Sequence, residues 1–359
     1  MSIFDHPEFD QHEAVHQFYD AATGLASIIA IHSTALGPAA GGCRRWHYAT
    51  GADALTDALR LSRGMTYKNA IAGLPFGGGK AVILASDAAP KSPELFTAFG
   101  RMVDSLGGRY ITAEDVGMKM EDMHHVAAQT RYVSGLPQDV NAAGGDPSPW
   151  TALGVFLGIE AAVRTRLGKD SLKGVRVAVQ GVGNVGFNLC RLLGKAGAVI
   201  SVADVNQEHL DRVAAAMPVT VLSPDDILFA DVDVLAPCAL GKLFSQQTID
   251  RVRALVIAGA ANNQLTTEAD GQRLRDRNIL YAPDFVINAG GIISVWHEYH
   301  GGGTAEQVRA DVVRIPERLD TIFRDAHATR RATNEVANDM ARALVAAAGQ
   351  ASKKEALSA

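Results

Sequence analysis

The chain has 359 residues, 47% of them apolar and 20% charged, with 35 glycines. That length suits two domains that each bury a core, and that composition excludes a disordered or fibrous protein in favour of a soluble globular α/β one. A formal net charge of −5 without a long Lys/Arg run argues against nucleic acid or a membrane surface as partner and leaves small metabolites.

Cys43, Cys190 and Cys238 are far apart and lack Cys-x-x-Cys spacing, so no metal site is expected and a reducing cytoplasm fits best. Asp5, His6, Glu8 and Asp10 stand where a secretory signal would need a basic start and an apolar run. No stretch reaches the roughly 18 consecutive uncharged apolar residues of a membrane span.

In chain order, residues 26–32 read as a strand and 51–69 as a helix. Thr50 is its expected N-cap, with Asp53 three residues on in a variant of the capping box. Gly77, Gly78 and Gly79 read as a loop running into Lys80 and then a strand over 81–84. This segment lacks the G-x-x-x-x-G-K-[ST] spacing of a phosphate-binding loop; a glycine run beside a lysine suggests instead backbone closing on a small ligand. Residues 109–113 look strand-like and close on Asp115. Taken singly, Lys68 also reads as a solvated helix lysine, Asp115 as a turn or cap residue and the glycine run as a plain turn.

The stretch 141–149, NAAGGDPSP, disfavours regular structure and marks the domain boundary and hinge. Beyond it, β-branched runs at 175–179, 198–203, 232–235, 254–258 and 279–281 alternate with helical stretches, the mark of a parallel sheet wound with crossover helices. Past residue 303 the chain turns helical, with Val336, Met340, Ala343 and Leu344 on one face.

Gly181, Gly183 and Gly186 form G-x-G-x-x-G, enclosing Asn184 and Val185, straight after a strand and at the start of an apolar-periodic helix. The glycines allow a tight turn, approach of backbone to a pyrophosphate, and close helix–strand packing; helix-start N–H groups then face the phosphates. Asp204 ends the next strand, where an acid accepts hydrogen bonds from the ribose hydroxyls and repels a 2′-phosphate, so NAD is expected over NADP.

The blocks LGPAAGG (36–42), DALRLSRGMTYKNA (57–70), GGGKAVI (77–83), GRYITAEDVG (108–117), VQGVGNVG (179–186), APCALG (236–241), AGAANNQL (258–265) and YAPDFVINAGG (281–291), in this order, resemble the Glu/Leu/Phe/Val dehydrogenase family, within it the leucine, phenylalanine and tryptophan dehydrogenases. The resemblance implies an N-terminal α/β substrate-binding and oligomerisation domain over 1–140 and a Rossmann-type, doubly wound NAD-binding domain over 141–330. A cleft separates the two, and the C-terminal helix of about 330–359 packs back on the first. It implies NAD-dependent reversible oxidative deamination of an apolar L-amino acid to its 2-oxo acid and ammonia, in a homo-oligomer. By the same resemblance Lys80 is the catalytic lysine, Asp115 assists proton transfer and Lys68 binds the substrate carboxylate. Gly41 and Gly42 bring backbone close to the substrate, and Ala40, Met65, Ala113, Ile292 and Val295 fall at pocket positions. Thr151, Ala260, Asn262 and Asn288 lie toward the nicotinamide.

Two rival functions are an amine dehydrogenase, whose substrate has no carboxylate, and a non-catalytic NAD-binding regulator. Lys68 and Asn262 speak against the first, Lys80 and Asp115 against the second. In resembling leucine dehydrogenases the position of Ala40 usually carries leucine, so GPAAGG implies a roomier pocket and an aromatic or bulky aliphatic substrate.

Overall fold

The computed structural model describes residues 2–358 apart from 88, 137–144, 240 and 302, and side chains through 351. The chain divides into two compact units: Met1–Gly145 with Val295–Thr304 and Ala341–Ala359, and Asp146–Ser294 with Ala305–Met340. The first four residues of the expected hinge, 141–144, lie outside the described residues.

The first unit is built on a mixed sheet of β1 (Ala14–Asp20), β2 (Leu25–Ser33), β3 (Ala39–Ala40), β4 (Cys43–Trp46), β5 (Gly77–Leu84) and β6 (Tyr110–Ile111), ordered β1-β2-β5-β3-β6 with β4 also on β5. Its helices are α1 (Gly51–Ala72), α2 (Pro93–Asp104) and α3 (Met120–Ala127). Because side chains alternate along a strand, β2 and β5 bury both faces. Ile28, Ala30 and Val82 meet Ala54, Ala58 and Leu59 of α1, while Leu25, Ile29, Ile31, Ala81 and Ile83 join Phe96, Phe99 and Val103 of α2. That explains the near-continuous apolar run of β2.

Helix α1 starts with the expected capping box: Thr50 Oγ1 accepts from Asp53 N–H, and Asp53 accepts from Thr50 N–H. It ends at Gly73, left-handed at φ 67°.

The glycine loop expected before Lys80 is instead the first part of β5. The residues lack side chains because no side chain would fit. A Cβ on Gly77 would lie 2.0 Å from Ser33 O, one on Gly78 2.1 Å from Thr66 N, and one on Gly79 2.7 Å from the Tyr110 ring. Close packing of β5 on α1 and β6 overrides the turn propensity of a glycine run.

The second unit holds a parallel sheet of β7 (Arg176–Gln180), β8 (Val199–Ala203), β9 (Thr220–Val221), β10 (Val234–Pro237), β11 (Val256–Ile257) and β12 (Leu280–Tyr281), ordered β12-β11-β10-β7-β8-β9. Counted from β7 this is 3-2-1-4-5-6, the doubly wound dinucleotide-binding order. The helices here are α4 (Ser148–Leu167), α5 (Asn184–Lys195), α6 (Gln207–Ala216), α7 (Gln246–Ile249), α8 (Ala269–Asp276) and α9 (Asp284–Ile287). Then follow α10 (Gly290–Tyr299), α11 (Ala305–Val312), α12 (Ile315–Thr329) and α13 (Thr333–Ser358).

Residues 295–304 count with the first unit for physical reasons. Trp296 packs edge-on against Phe76 at 4.8 Å, and buried Glu298 accepts the N–H groups of Gly135 and Leu136 at 2.7 and 2.9 Å. Among the described residues no helix is long and apolar enough to cross a membrane.

Candidate active site

Alternation along β5 sends Gly78, Lys80 and Val82 to the α1 face of the sheet. Lys80 is only 5% exposed, and its Nζ donates to Asp115 Oδ2. Asp115 reaches it from the segment after β6, where Gly41 N–H bonds Ile111 O and Cys43 N–H bonds Ala113 O. Gly42 leaves the space this needs, since a Cβ there would sit 2.7 Å from Glu114 O and 2.9 Å from Asp115 Cβ. A Cβ on Gly41 would sit 1.9 Å from Gly79 O and 3.2 Å from Met65 Cγ, so both glycines are required by packing.

Burial alone would raise the Asp115 carboxyl, but Lys80 and Arg44 beside it, with the Val116 N–H, hold it down at about 2. It is ionised at any pH near neutral. Beneath it, burial pushes the Cys43 thiol up, so that group stays neutral.

Ala40 is buried, in register with Gly78 and Ile111. Met65 and Lys68 are half-buried and share a face of α1, as residues three apart on a helix do. Ala113 is half-buried, and Val295 lies on the part of α10 that counts with this unit.

In the second unit the motif after β7 forms an open cradle. Gly181 has φ 90°, and a Cβ on Gly186 would fall 2.0 Å from Gly181 O. A Cβ on Gly183, the N-cap of α5, would meet nothing closer than His209 Cε1 at 3.9 Å. The turn is thus closed tightly on one side and free for a ligand on the other, with the first N–H groups of α5, at Asn184 and Val185, beside it.

Asp204 follows β8. Its carboxylate accepts Val182 N–H at 2.8 Å and Asn206 N–H at 2.9 Å, and His209 Nδ1 lies at 3.2 Å. Burial opposes ionisation there, but these partners hold the pKa below the usual range. They occupy three of the carboxylate's roughly four acceptor positions, leaving room for one ribose hydroxyl.

Asn288 donates from Nδ2 to Ala260 O and Asn262 Oδ1, both at 2.9 Å, while its Oδ1 is buried with no partner among the described residues. Such an orphaned acceptor suits a ligand with an N–H. Thr151, in the first turn of α4, donates to Pro147 O at 3.1 Å, and a Cβ on Gly291 would lie 2.7 Å from its Oγ1. Ile292 is half-buried on α10. Cradle, acid and orphaned acceptor together fit a dinucleotide. Among the described residues no cluster of three His, Cys, Asp or Glu is placed for a metal.

Residues 12–132 match the Glu/Leu/Phe/Val dehydrogenase dimerisation domain, and residues 146–208 and 206–358 match the glutamate/leucine/phenylalanine/valine dehydrogenase domain. The chain belongs to the Glu/Leu/Phe/Val dehydrogenase family. It is 48% identical over 323 residues to a leucine dehydrogenase of Thermoactinomyces intermedius, covering 90% of this chain and 88% of the relative. It is 42% identical over 348 residues to a phenylalanine dehydrogenase of Bacillus thermotolerans, covering 96% and 91%. The crystal structure of L-tryptophan dehydrogenase from Nostoc punctiforme superposes with a TM-score of 0.82 at 43% identity, over 95% of this chain and 97% of that one.

Of the residues the family resemblance selects, Lys80 and Asp115 form an ion pair, Gly42 borders Asp115, Met65 borders Gly41, and Asn262, Asn288 and Ala260 share a hydrogen-bonded cluster. Two participants belong to none of the motifs above. Arg44 contacts both Asp115 and Asp57, and His209 contacts Asp204. His209 has a local signal, since it stands five residues after Asp204; Arg44 has none beyond its place two residues after Gly42.

Proposed function

We propose that this chain catalyses the NAD-dependent, reversible oxidative deamination of an apolar L-amino acid, aromatic or bulky aliphatic, to its 2-oxo acid and ammonia. The observation that carries this reading is the ion pair of buried Lys80 with half-buried Asp115 in a chain 48% identical to a leucine dehydrogenase. NAD, held by Gly181, Gly183, Asn184, Val185, Gly186 and Asp204, with Thr151, Ala260, Asn262 and Asn288 toward its nicotinamide, would supply the acceptor for the hydride leaving the α-carbon.

The chain's own groups handle the rest. Lys68 holds the substrate carboxylate as a point charge. Backbone at Gly41 and Gly42 passes close to the substrate, and Ala40, Met65, Ala113, Val295 and Ile292 present apolar surface to its side chain. Lys80 Nζ takes a proton from the water that adds to the imine carbon and returns one as ammonia departs. Asp115, whose carboxylate receives Lys80 Nζ, orients that group and assists proton transfer with the departing amine.

A homo-oligomer accords with the dimerisation-domain match over 12–132, and the free thiols of Cys43, Cys190 and Cys238 accord with a cytoplasmic setting. The test is NADH formation by the purified protein over a panel of L-amino acids, with NADP in parallel. Phenylalanine, tryptophan, methionine or leucine should lead, glutamate should be very poor, and NAD should exceed NADP. No NADH from any amino acid would refute the reading.

A further inference from the structure

Strand β4 turns Cys43 into the core on the α2 side and Arg44 to the α1 face, beside Lys80. Arg44 NH1 donates to Asp57 Oδ2 at 2.9 Å, and Tyr48 OH donates to the same oxygen at 2.8 Å. Arg44 Nε lies 3.3 Å from Asp115 Oδ2, the oxygen that already receives Lys80 Nζ. That approach is an ion pair without hydrogen-bond alignment, and the buried Nε–H has no acceptor among the described residues. Leaving a buried guanidinium N–H unmatched is costly, so the arrangement with Lys80 on Asp115 is not the one in which Arg44 is best satisfied.

The charges explain what the contact is for. Lys80, Arg44, Asp115 and Asp57 form a neutral quartet. When Lys80 works as a base it is uncharged, and a half-buried Asp115 facing only a neutral amine would be an uncompensated carboxylate. Of the other titratable groups near it, Cys43, Tyr48 and Tyr110 are pushed up by burial and stay neutral, Asp122 is an acid, and Lys68 is the cation assigned above to the substrate carboxylate.

We propose that Arg44 is the standby partner of Asp115: as Lys80 Nζ leaves Asp115 to act on substrate, the carboxylate turns onto Arg44 Nε–H and remains anionic. Arg44 is thus a positioning residue whose charge sets the pH at which the Lys80–Asp115 pair becomes active, and Asp57 fixes its reach. This rests on the functional reading above.

The test compares the full-length wild type with Arg44→Met, Arg44→Lys and Asp57→Asn. The readouts are kcat and KM for L-leucine oxidation against pH, NADH binding by fluorescence, and thermal unfolding. Removing a cation makes proton loss from the quartet harder, and removing an anion makes it easier. Arg44→Met should therefore move the midpoint of the acid limb up by about 0.5 to 1 pH unit and Asp57→Asn down by a similar amount, as one charge near a half-buried site does. Arg44→Met should also lower kcat about three- to tenfold near neutral pH, the range that matches this displacement, with KM and NADH binding little changed. Arg44→Lys should restore most of the midpoint.

Mere structural damage would not give shifts of opposite sign. An active wild type whose acid limb is unmoved in Arg44→Met, or moves the same way in both variants, overturns the inference. If Arg44→Met does not fold, an unmoved midpoint in Asp57→Asn overturns it. A wild type that forms no NADH from any L-amino acid overturns the functional reading itself and this inference with it.

Discussion

The first unit should lose stability in mild acid because of one histidine behind the active-site helix. His32 is buried at the end of β2, its Nδ1 2.8 Å from Thr66 Oγ1 and its ring edge-on to His12 at 4.8 Å and Tyr67 at 6.1 Å. Burial, then the neighbouring His12 and Arg63, lowers its pKa from 6.5 to about 4 against the opposing pull of Asp10. The folded chain therefore keeps His32 neutral while the unfolded chain takes up a proton below pH 6.5. Its contribution is fully present above that pH and is lost as pH falls toward 4. At 1.36 kcal/mol per pKa unit the full loss is about 3 kcal/mol, of which about 2 falls between pH 7 and 5. Urea unfolding followed by tryptophan fluorescence, at fixed protein concentration, measures it in the wild type and in His32→Gln, which keeps a neutral hydrogen-bonding group beside Thr66. The wild type should lose about 2 kcal/mol more than the variant between pH 7 and 5; equal losses would refute the reasoning. Function should feel the same change, because Thr66 packs on Gly78, two residues before Lys80, and precedes Lys68 on α1.

Two further substitutions probe cofactor and substrate. Asp204→Ser should weaken binding of both dinucleotides, because Val182 N–H loses its acceptor, and should narrow the preference for NAD over NADP by removing a charge that repels a 2′-phosphate; an unchanged kcat/KM ratio would place the ribose elsewhere. Ala40→Leu should shift preference from phenylalanine toward leucine, each methylene-sized group excluded from the pocket costing the larger substrate roughly 0.8 kcal/mol. Kinetics on both amino acids decide it, and an unmoved phenylalanine-to-leucine ratio would refute the pocket assignment.

Features with strong local rules were legible in the sequence. The turn Gly181–Gly186 needs a left-handed residue and a close helix approach that only glycine meets, and the capping box at Thr50 and Asp53 is a three-residue pattern. Strands β7, β8, β10, β11 and β12 announced themselves by β-branched runs, whereas β9 is two residues long and exposed at the sheet edge, with no buried face to pattern. Gly77–Gly79 misled because a glycine run resembles a loop until Thr66 and Tyr110 are brought against it. The glycine run beside Lys80 hints at a ligand, but the roles of Lys80 and Asp115 rest on the family resemblance, since neither spacing specifies a reaction. Arg44 was missed because its partners, Asp57 and Asp115, come from other elements and meet it only once β4 joins β5.

Whether Lys80 moves protons in an amino-acid dehydrogenase is decided by Lys80→Ala, with turnover of L-leucine and NADH binding measured on the same purified protein. Turnover should fall by about a hundredfold or more, the range general acid–base catalysis contributes, with NADH affinity retained. Turnover close to wild type would contradict that role.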